Sequence, residues 1–153
     1  MARRATPVGG SVSSEGRHSF EELSHEVLGA CVEVQRVLGL HCMEVDYQRA
    51  LEIAMKKRGL QFQREVEVPI VFEGELVSRR RVDFVVWHDE QELILETKAR
   101  AALLPEDVEQ CLLYLKQGGY HICLLVNFGQ KPIGVKRLVD WSHGAPRGEA
   151  SAR

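Results

Sequence analysis

Two apolar stretches carry the residues best able to do chemistry. Asp83 interrupts the run Val82, Phe84, Val85 and Val86, and Glu96 and Lys98 flank Thr97 at the end of the run Leu93, Ile94 and Leu95. Two carboxylates and an ammonium in such a setting can act in two ways: Lys98 can form a structural ion pair with either acid, or the acids can share a divalent cation. Both stretches are rich in β-formers and read as strands buried on both faces. His88-Asp89-Glu90-Gln91 between them is a polar break that closes a hairpin. A turn centred between Asp89 and Glu90 sets Trp87 opposite Glu92 and Asp83 opposite Glu96. Opposed residues share a sheet face, and like charges there are destabilising, more so when buried. A compensating positive charge is therefore needed. Lys98 lies on the face of Glu96, because side chains two apart on a strand point the same way. The fragment alone leaves the ion pair and the bound cation equally open.

The elements that must position this hairpin follow from periodicity. Ser19 with Glu22 matches a capping box, and Phe20, Leu23, Val27, Ala30, Cys31, Val34 and Leu38 form one helical stripe that Gly39 ends. A second helix is expected from Met43 to Arg58, with Met43, Tyr47, Ala50, Leu51, Ala54 and Met55 inward. Glu44 and Asp46 fall in its first turn, where carboxylates suit the helix dipole and can cap. Lys56, Lys57 and Arg58 fall in its last turn, where cations do. From Phe62 to Phe72 the pattern alternates, placing Phe62, Val66, Val68, Ile70 and Phe72 on one face of a strand. Glu73-Gly74-Glu75 then turns into the strand that contains Asp83.

Beyond the hairpin, Pro105 opens a helix packed through Val108, Cys111, Leu112 and Leu115 and stopped by Gly118-Gly119. Gln110 and Tyr114, four apart, share another of its faces. His121 to Phe128 is an almost unbroken apolar run. It reads as a central strand reached by a helical crossover, which makes parallel pairing. A last strand is expected around Val135 to Trp141. The order is helix, helix, three strands, helix, strand, strand: an α/β fold with a mixed sheet flanked by helices.

A chain of 153 residues can bury a core without disulfide or metal staples. The four cysteines lack C-x-x-C spacing and read as small buried residues in a reducing cytoplasm. No segment has the apolar length of a membrane span. Residues 1–18 and 142–153, poor in apolar groups, read as disordered tails around a domain at 19–141. Arg3, Arg4 and Arg17 against Glu15, and Arg147 and Arg153 against Glu149, make both tails basic, so the formal −2 of the chain leaves the middle at −5. That excludes a nonspecific nucleic-acid binder built on a positive surface. It leaves room for an acidic site that meets phosphates through a metal.

The element order, with Asp83 on the second strand and Glu96-Thr97-Lys98 on the third, resembles the core of the PD-(D/E)XK nuclease superfamily, a restriction-endonuclease-like fold. Within it the chain is similar to the small bacterial GxxExxY proteins from about Phe20 to Trp141. The resemblance rests on H-C-M-E-V-D-Y at 41–47, R-V-D-F-V-V at 81–86, L-I-L-E-T-K-A at 93–99, E-Q-C-L-L-Y-L-K at 109–116 and G-Y-H-I-C-L-L-V-N-F-G at 119–129. His41 stands where the signature has glycine, while Glu44 and Tyr47 keep the later positions. The resemblance implies that Asp83, Glu96 and the Thr97 backbone carbonyl ligate Mg²⁺ or Mn²⁺, with Glu44 as a further acid. It implies that Lys98 orients or helps deprotonate the attacking water, and that Gln110, Tyr114 and Tyr47 support the site or touch substrate. The implied partner is nucleic acid, DNA ahead of RNA. Two other readings compete: a nuclease-fold binding or accessory protein with little turnover, and a structural or protein-interaction domain. His41, His88 and His121 read as turn or core-edge residues and not as bases.

Overall fold

Apolar residues recurring every three or four positions make two helices, α1 (Ser14–Leu38) and α2 (Glu44–Lys57), and runs of β-formers make β1 (Gln61–Phe72), β2 (Glu75–His88) and β3 (Gln91–Lys98). Then come α3 (Pro105–Gly118), β4 (Ile122–Asn127) and β5 (Gly134–Val139), so the element order is the expected one. The structure, a computed structural model, describes residues 14–143, and side chains from Phe20 onward. Of the expected tails, residues 1–13 and 144–153 lie outside the described residues. No helix among the described residues is long and apolar enough to cross a membrane.

The strands lie in the order β1-β2-β3-β4-β5. All pairs are antiparallel except β3 with β4, where α3 provides the crossover that a parallel pair requires. One sheet face packs on α1 and α2 through Phe20, Val27, Leu51, Phe84, Leu95 and Leu124, and the other packs on α3 through Val85, Ile94, Cys111, Leu115, Cys123 and Leu125. With helices on both faces, β3 and β4 are buried almost throughout, which is why their sequences read as continuous apolar runs. This is the α/β architecture of a restriction-endonuclease-like core.

Several expectations are corrected. The first helix begins at Ser14, so Ser19 and Glu22 lie inside it and do not open it. Met43 sits at the N-cap of α2 and is 68% exposed, and Leu112 is 38% exposed on the outer side of α3; neither packs inward. The five apolar residues of β1 do not share one face. Phe62 packs in the α1/α2 core, whereas Val66 and Val68 pack against α3. Glu65 between them has φ 50°, a left-handed conformation that interrupts the strict alternation. The neighbouring strand changes face at the matching place, with Val82 in the α3 core and Phe84 in the other. Phe72 is 64% exposed beside the tight turn at Glu73 and Gly74, both at positive φ. The last strand ends at Val139, and Trp141 beyond it packs edge-on against Phe20 at 5.6 Å.

The segment leaving β3 is tied to the segment leaving β4. Asn127 Oδ1 accepts from the Arg100 amide at 3.1 Å, Asn127 Nδ2 donates to the Arg100 carbonyl at 2.8 Å, and Phe128 N donates to the Lys98 carbonyl at 2.8 Å. Gly129 makes this possible, because a Cβ there would lie 2.3 Å from the Arg100 carbonyl oxygen and 2.4 Å from its nitrogen. Backbone atoms cannot yield as a flexible side chain can. Gly129→Ala is therefore expected to destabilise the fold by about 1–3 kcal/mol or more, the usual cost of overpacking, measured by urea unfolding.

Candidate active site

The site forms where β2 parts from β3. The hairpin ladder holds the expected register, from His88 opposite Gln91 through Trp87 opposite Glu92 to Phe84 opposite Leu95, and it stops there. The next pair, Asp83 and Glu96, exchanges side-chain bonds in place of backbone bonds. The Asp83 amide donates to Glu96 Oε1 at 2.7 Å, and Asp83 Oδ2 accepts from both the Thr97 amide and the Thr97 hydroxyl at 2.8 Å each. The Thr97 amide thus points to β2. In an extended strand the carbonyl of a residue points to the same side as its amide, so the Thr97 carbonyl is directed to the edge that holds Asp83.

Glu96 and Lys98 follow Ile94 on the α3 face. Glu96 is 3% exposed, and burial, reinforced by the nearby Asp83 charge, pushes its carboxyl up to about 8. The Asp83 amide and the Lys98 charge oppose that rise and do not cancel it. Lys98 does not form its ion pair with Asp83 or Glu96: its Nζ lies 3.8 Å from Asp107 Oδ1. Asp107 is buried in the first turn of α3, accepts from the Leu104 amide at 2.8 Å and binds Arg100 Nη2 at 2.7 Å. A structural ion pair within the hairpin itself is thus not what the residues form.

Glu44 opens α2 and faces the same charges. Its carboxyl is raised by partial desolvation and by Asp83, against the lowering influence of Lys98 and Arg100, although the residue as a whole is exposed. Asp46 is the acid that caps: its Oδ2 accepts from the Met43 amide at 2.8 Å. Tyr114 is 2% exposed, and burial together with the Glu96 charge raises its hydroxyl to about 12. Gln110, one turn earlier, lines a hollow of about 490 Å³ with Arg80, Lys98, Arg100, Asp107 and Glu109. Tyr47 has a different place. It is fully buried, stacks on Phe128 at 4.7 Å, and its hydroxyl donates to the Gly39 carbonyl, so it fastens the turn between α1 and α2. His41 lies in that turn, exposed and without positive φ, whereas Gly39 has φ 76°. The backbone at position 41 does not call for glycine.

Sequence reasoning missed Gln48 and Asp107. Gln48, 8% exposed, donates through Nε2 to Thr97 Oγ1 at 2.8 Å and to Glu44 Oε1 at 3.4 Å. The available signal was its spacing, one helical turn beyond Glu44. For Asp107 the signal was the third position of a helix opened by Pro105, where an acid caps.

The donors suit a hard divalent cation. Among the described residues Asp83 Oδ1 and Glu96 Oε2 take no hydrogen bond, and the Thr97 carbonyl faces the same edge. No group of three or more acids, histidines or cysteines among the described residues is gathered closely enough to hold a metal by itself. Two carboxylates completed by water and phosphate oxygens are the usual setting for Mg²⁺.

The raised carboxyl of Glu96 has a consequence for stability. The folded protein holds this proton more tightly than the unfolded chain, so between the ordinary 4.5 and about 8 unfolding releases a proton and stability falls as pH rises. Glu96→Gln keeps an acceptor for the Asp83 amide and removes the charge. In chelator-treated protein it is expected to flatten this decline and raise stability at pH 8 by on the order of 1–3 kcal/mol, read from denaturant midpoints across pH.

A family model described as the PD-(D/E)XK nuclease superfamily matches residues 21–138, which include Glu44, Asp83, Glu96, Lys98, Gln110 and Tyr114. No curated protein matches the chain. Among solved structures the chain is similar to one described as the crystal structure of SSO0001, at 18% identity and a TM-score of 0.49. That likeness covers 88% of this chain and 65% of the other, so the chain spans less than two thirds of that protein. With the match running through nearly every described element, the chain belongs to the PD-(D/E)XK nuclease superfamily.

Proposed function

We propose that this chain is a Mg²⁺- or Mn²⁺-dependent nuclease that hydrolyses phosphodiester bonds in DNA, of the GxxExxY kind within its superfamily. The observation that carries the reading is the opening of the sheet at Asp83 and Glu96, with Lys98 on the Glu96 face and Glu44 opposing from α2. Asp83, Glu96, the Thr97 carbonyl and Glu44 would hold the cation. When bound, the cation would neutralise charge on the scissile phosphate and acidify a water. Lys98 is held by the buried Asp107 as a fixed ammonium, suited to orienting the attacking water and offsetting phosphate charge. Gln110, which lines the hollow, is placed to touch substrate, and the buried Tyr114 near the Glu96 charge supports the site. Free thiols at Cys31, Cys42, Cys111 and Cys123 suit a reducing compartment such as the cytoplasm.

The basic side of the hollow supports a phosphate-bearing substrate. Lys98 and Arg100 share the one carboxylate of Asp107, whereas Arg80 has no carboxylate within ion-pair distance among the described residues. A guanidinium without an ion-pair partner, in the hollow that Lys98 also lines, suits the phosphate neighbouring the one attacked.

Purified protein is expected to cleave DNA with Mg²⁺ or Mn²⁺ and to stop when the metal is chelated. Lys98→Ala is expected to lower kcat about 10²–10³-fold, and unchanged cleavage by that variant would remove the site from the reaction. Metal binding by the wild type without cleavage would point to the accessory reading instead. Arg80→Ala is expected to weaken DNA binding uniformly across sequences and to reduce the salt slope by about 1, measured by titration at several salt concentrations.

A further inference from the structure

Arg64, Gln48, Thr97 and Asp83 come from four different elements, β1, α2, β3 and β2, and form one directed chain of hydrogen bonds. Arg64 Nη2 donates to Gln48 Oε1, Gln48 Nε2 donates to Thr97 Oγ1 at 2.8 Å, and Thr97 Oγ1 donates to Asp83 Oδ2 at 2.8 Å. The direction is dictated by chemistry. A guanidinium only donates, so the Gln48 oxygen must face Arg64, and its NH₂ must face Thr97. The threonine hydroxyl, already accepting from Gln48, has its single hydrogen left for Asp83. Every bond therefore points from the cation to the carboxylate.

We infer that Gln48 is a positioning residue that sets two of the site's acids at once, fixing Asp83 through Thr97 and steadying Glu44 directly. This rests on the reading of Asp83 as a metal ligand. The second hydrogen of the Gln48 amide reaches Glu44 Oε1 at 3.4 Å, so one side chain links the acid of α2 to the acid of β2. Asp83 Oδ2 receives two donors from Thr97, which pins that oxygen against β3 and leaves Oδ1 for the cleft. Thr97 is fully buried, and its β-branched side chain has little rotational freedom, so it transmits position well. The far end is anchored too. Arg64 Nη1 binds Glu52 at 3.0 Å, and its guanidinium lies over the Phe84 ring at 5.1 Å. Arg64 stands just before Glu65, where β1 changes face, and it is paired in the ladder with Phe84, the neighbour of Asp83.

A buried glutamine that only filled space would tolerate an isosteric apolar replacement, whereas a positioning glutamine would not. The test compares wild type with Gln48→Met, Thr97→Val, Thr97→Ser and the Gln48→Met/Thr97→Val double variant. Three quantities are read: amide hydrogen exchange at Thr97 without metal, Mn²⁺ affinity by calorimetry, and kcat and KM for DNA cleavage. Gln48→Met is expected to speed Thr97 exchange at least about tenfold while Ile94 and Leu124 keep their rates. It is expected to weaken Mn²⁺ binding about 10- to 100-fold, as loss of a residue supporting a ligand does, and to lower kcat with little change in KM. Thr97→Ser, which keeps the hydroxyl but not the β-branch, should lose less Mn²⁺ affinity and kcat than Thr97→Val. The double variant should lose no more than the worse single one, because both break the same chain. Unchanged Thr97 exchange and Mn²⁺ affinity in Gln48→Met, or fully additive losses in the double variant, would overturn the inference. If wild type cleaves no DNA, the nuclease reading falls, while the exchange rates and the Mn²⁺ affinities still decide the role of Gln48.

Discussion

The reciprocal bonding of Asp83 with Glu96 and Thr97 is the constraint on which the rest of the structure depends. A sheet that opens between two neighbouring strands exposes amides that have lost their ladder partners, and an unpaired buried amide costs about as much as a lost hydrogen bond. Here the Asp83 amide is taken by the Glu96 carboxylate, and the Thr97 amide by the Asp83 carboxylate. The split is thus stabilised by the same acids that line it. Each carboxylate has one oxygen committed to backbone and the other left for the cleft, which couples the architecture of the opening to its chemistry.

The electrostatic cost of that arrangement is distributed. Glu96 is the most buried of the acids and the most strongly raised, with Asp83 and Glu44 both adding to the rise. Lys98 does not close onto the pair, because the buried Asp107 draws it and Arg100 to the start of α3. The lysine therefore stays near the acids as a separate charge. An ammonium locked between Asp83 and Glu96 would have satisfied the hairpin and filled the space between its carboxylates. Asp107, through its contact with the Leu104 amide, also joins the position of Lys98 to the start of the helix that carries Gln110 and Tyr114. On the opposite side Gln48 joins α2 to the third strand. The two helices that flank the cleft are each fastened to the hairpin by one buried polar residue.

Most elements were legible because local chemistry dictates them. Pro105 and Gly119 bracket α3, the break at Asp89 and Glu90 sets the hairpin register, and the unbroken run from Ile122 to Asn127 marks a strand covered on both faces. The errors share a cause. Met43 and Leu112 are apolar and periodic, but which of several apolar residues reaches the core is decided by the packing of the neighbouring elements. The single-face reading of β1 failed because alternation assumes an extended backbone throughout. Glu65, a residue with no special turn chemistry, adopts positive φ where β1 and β2 turn from one helical layer to the other.

For the site the division is similar. Residue types and spacing in the sequence were sufficient to bring Asp83, Glu96 and Lys98 to one end of a hairpin, because a two-residue periodicity and a turn determine which side chains meet. Glu44, Gln110 and Tyr114 were marked only by the resemblance to a known nuclease core, not by residue spacing itself. Only the tertiary structure decided that Lys98 pairs with Asp107, that Tyr47 supports a turn, and that Gln48 bridges Glu44 and Thr97. Those contacts cross between elements far apart in the chain. Their geometry depends on how helices sit on a twisted sheet, which periodicity within any single element does not specify.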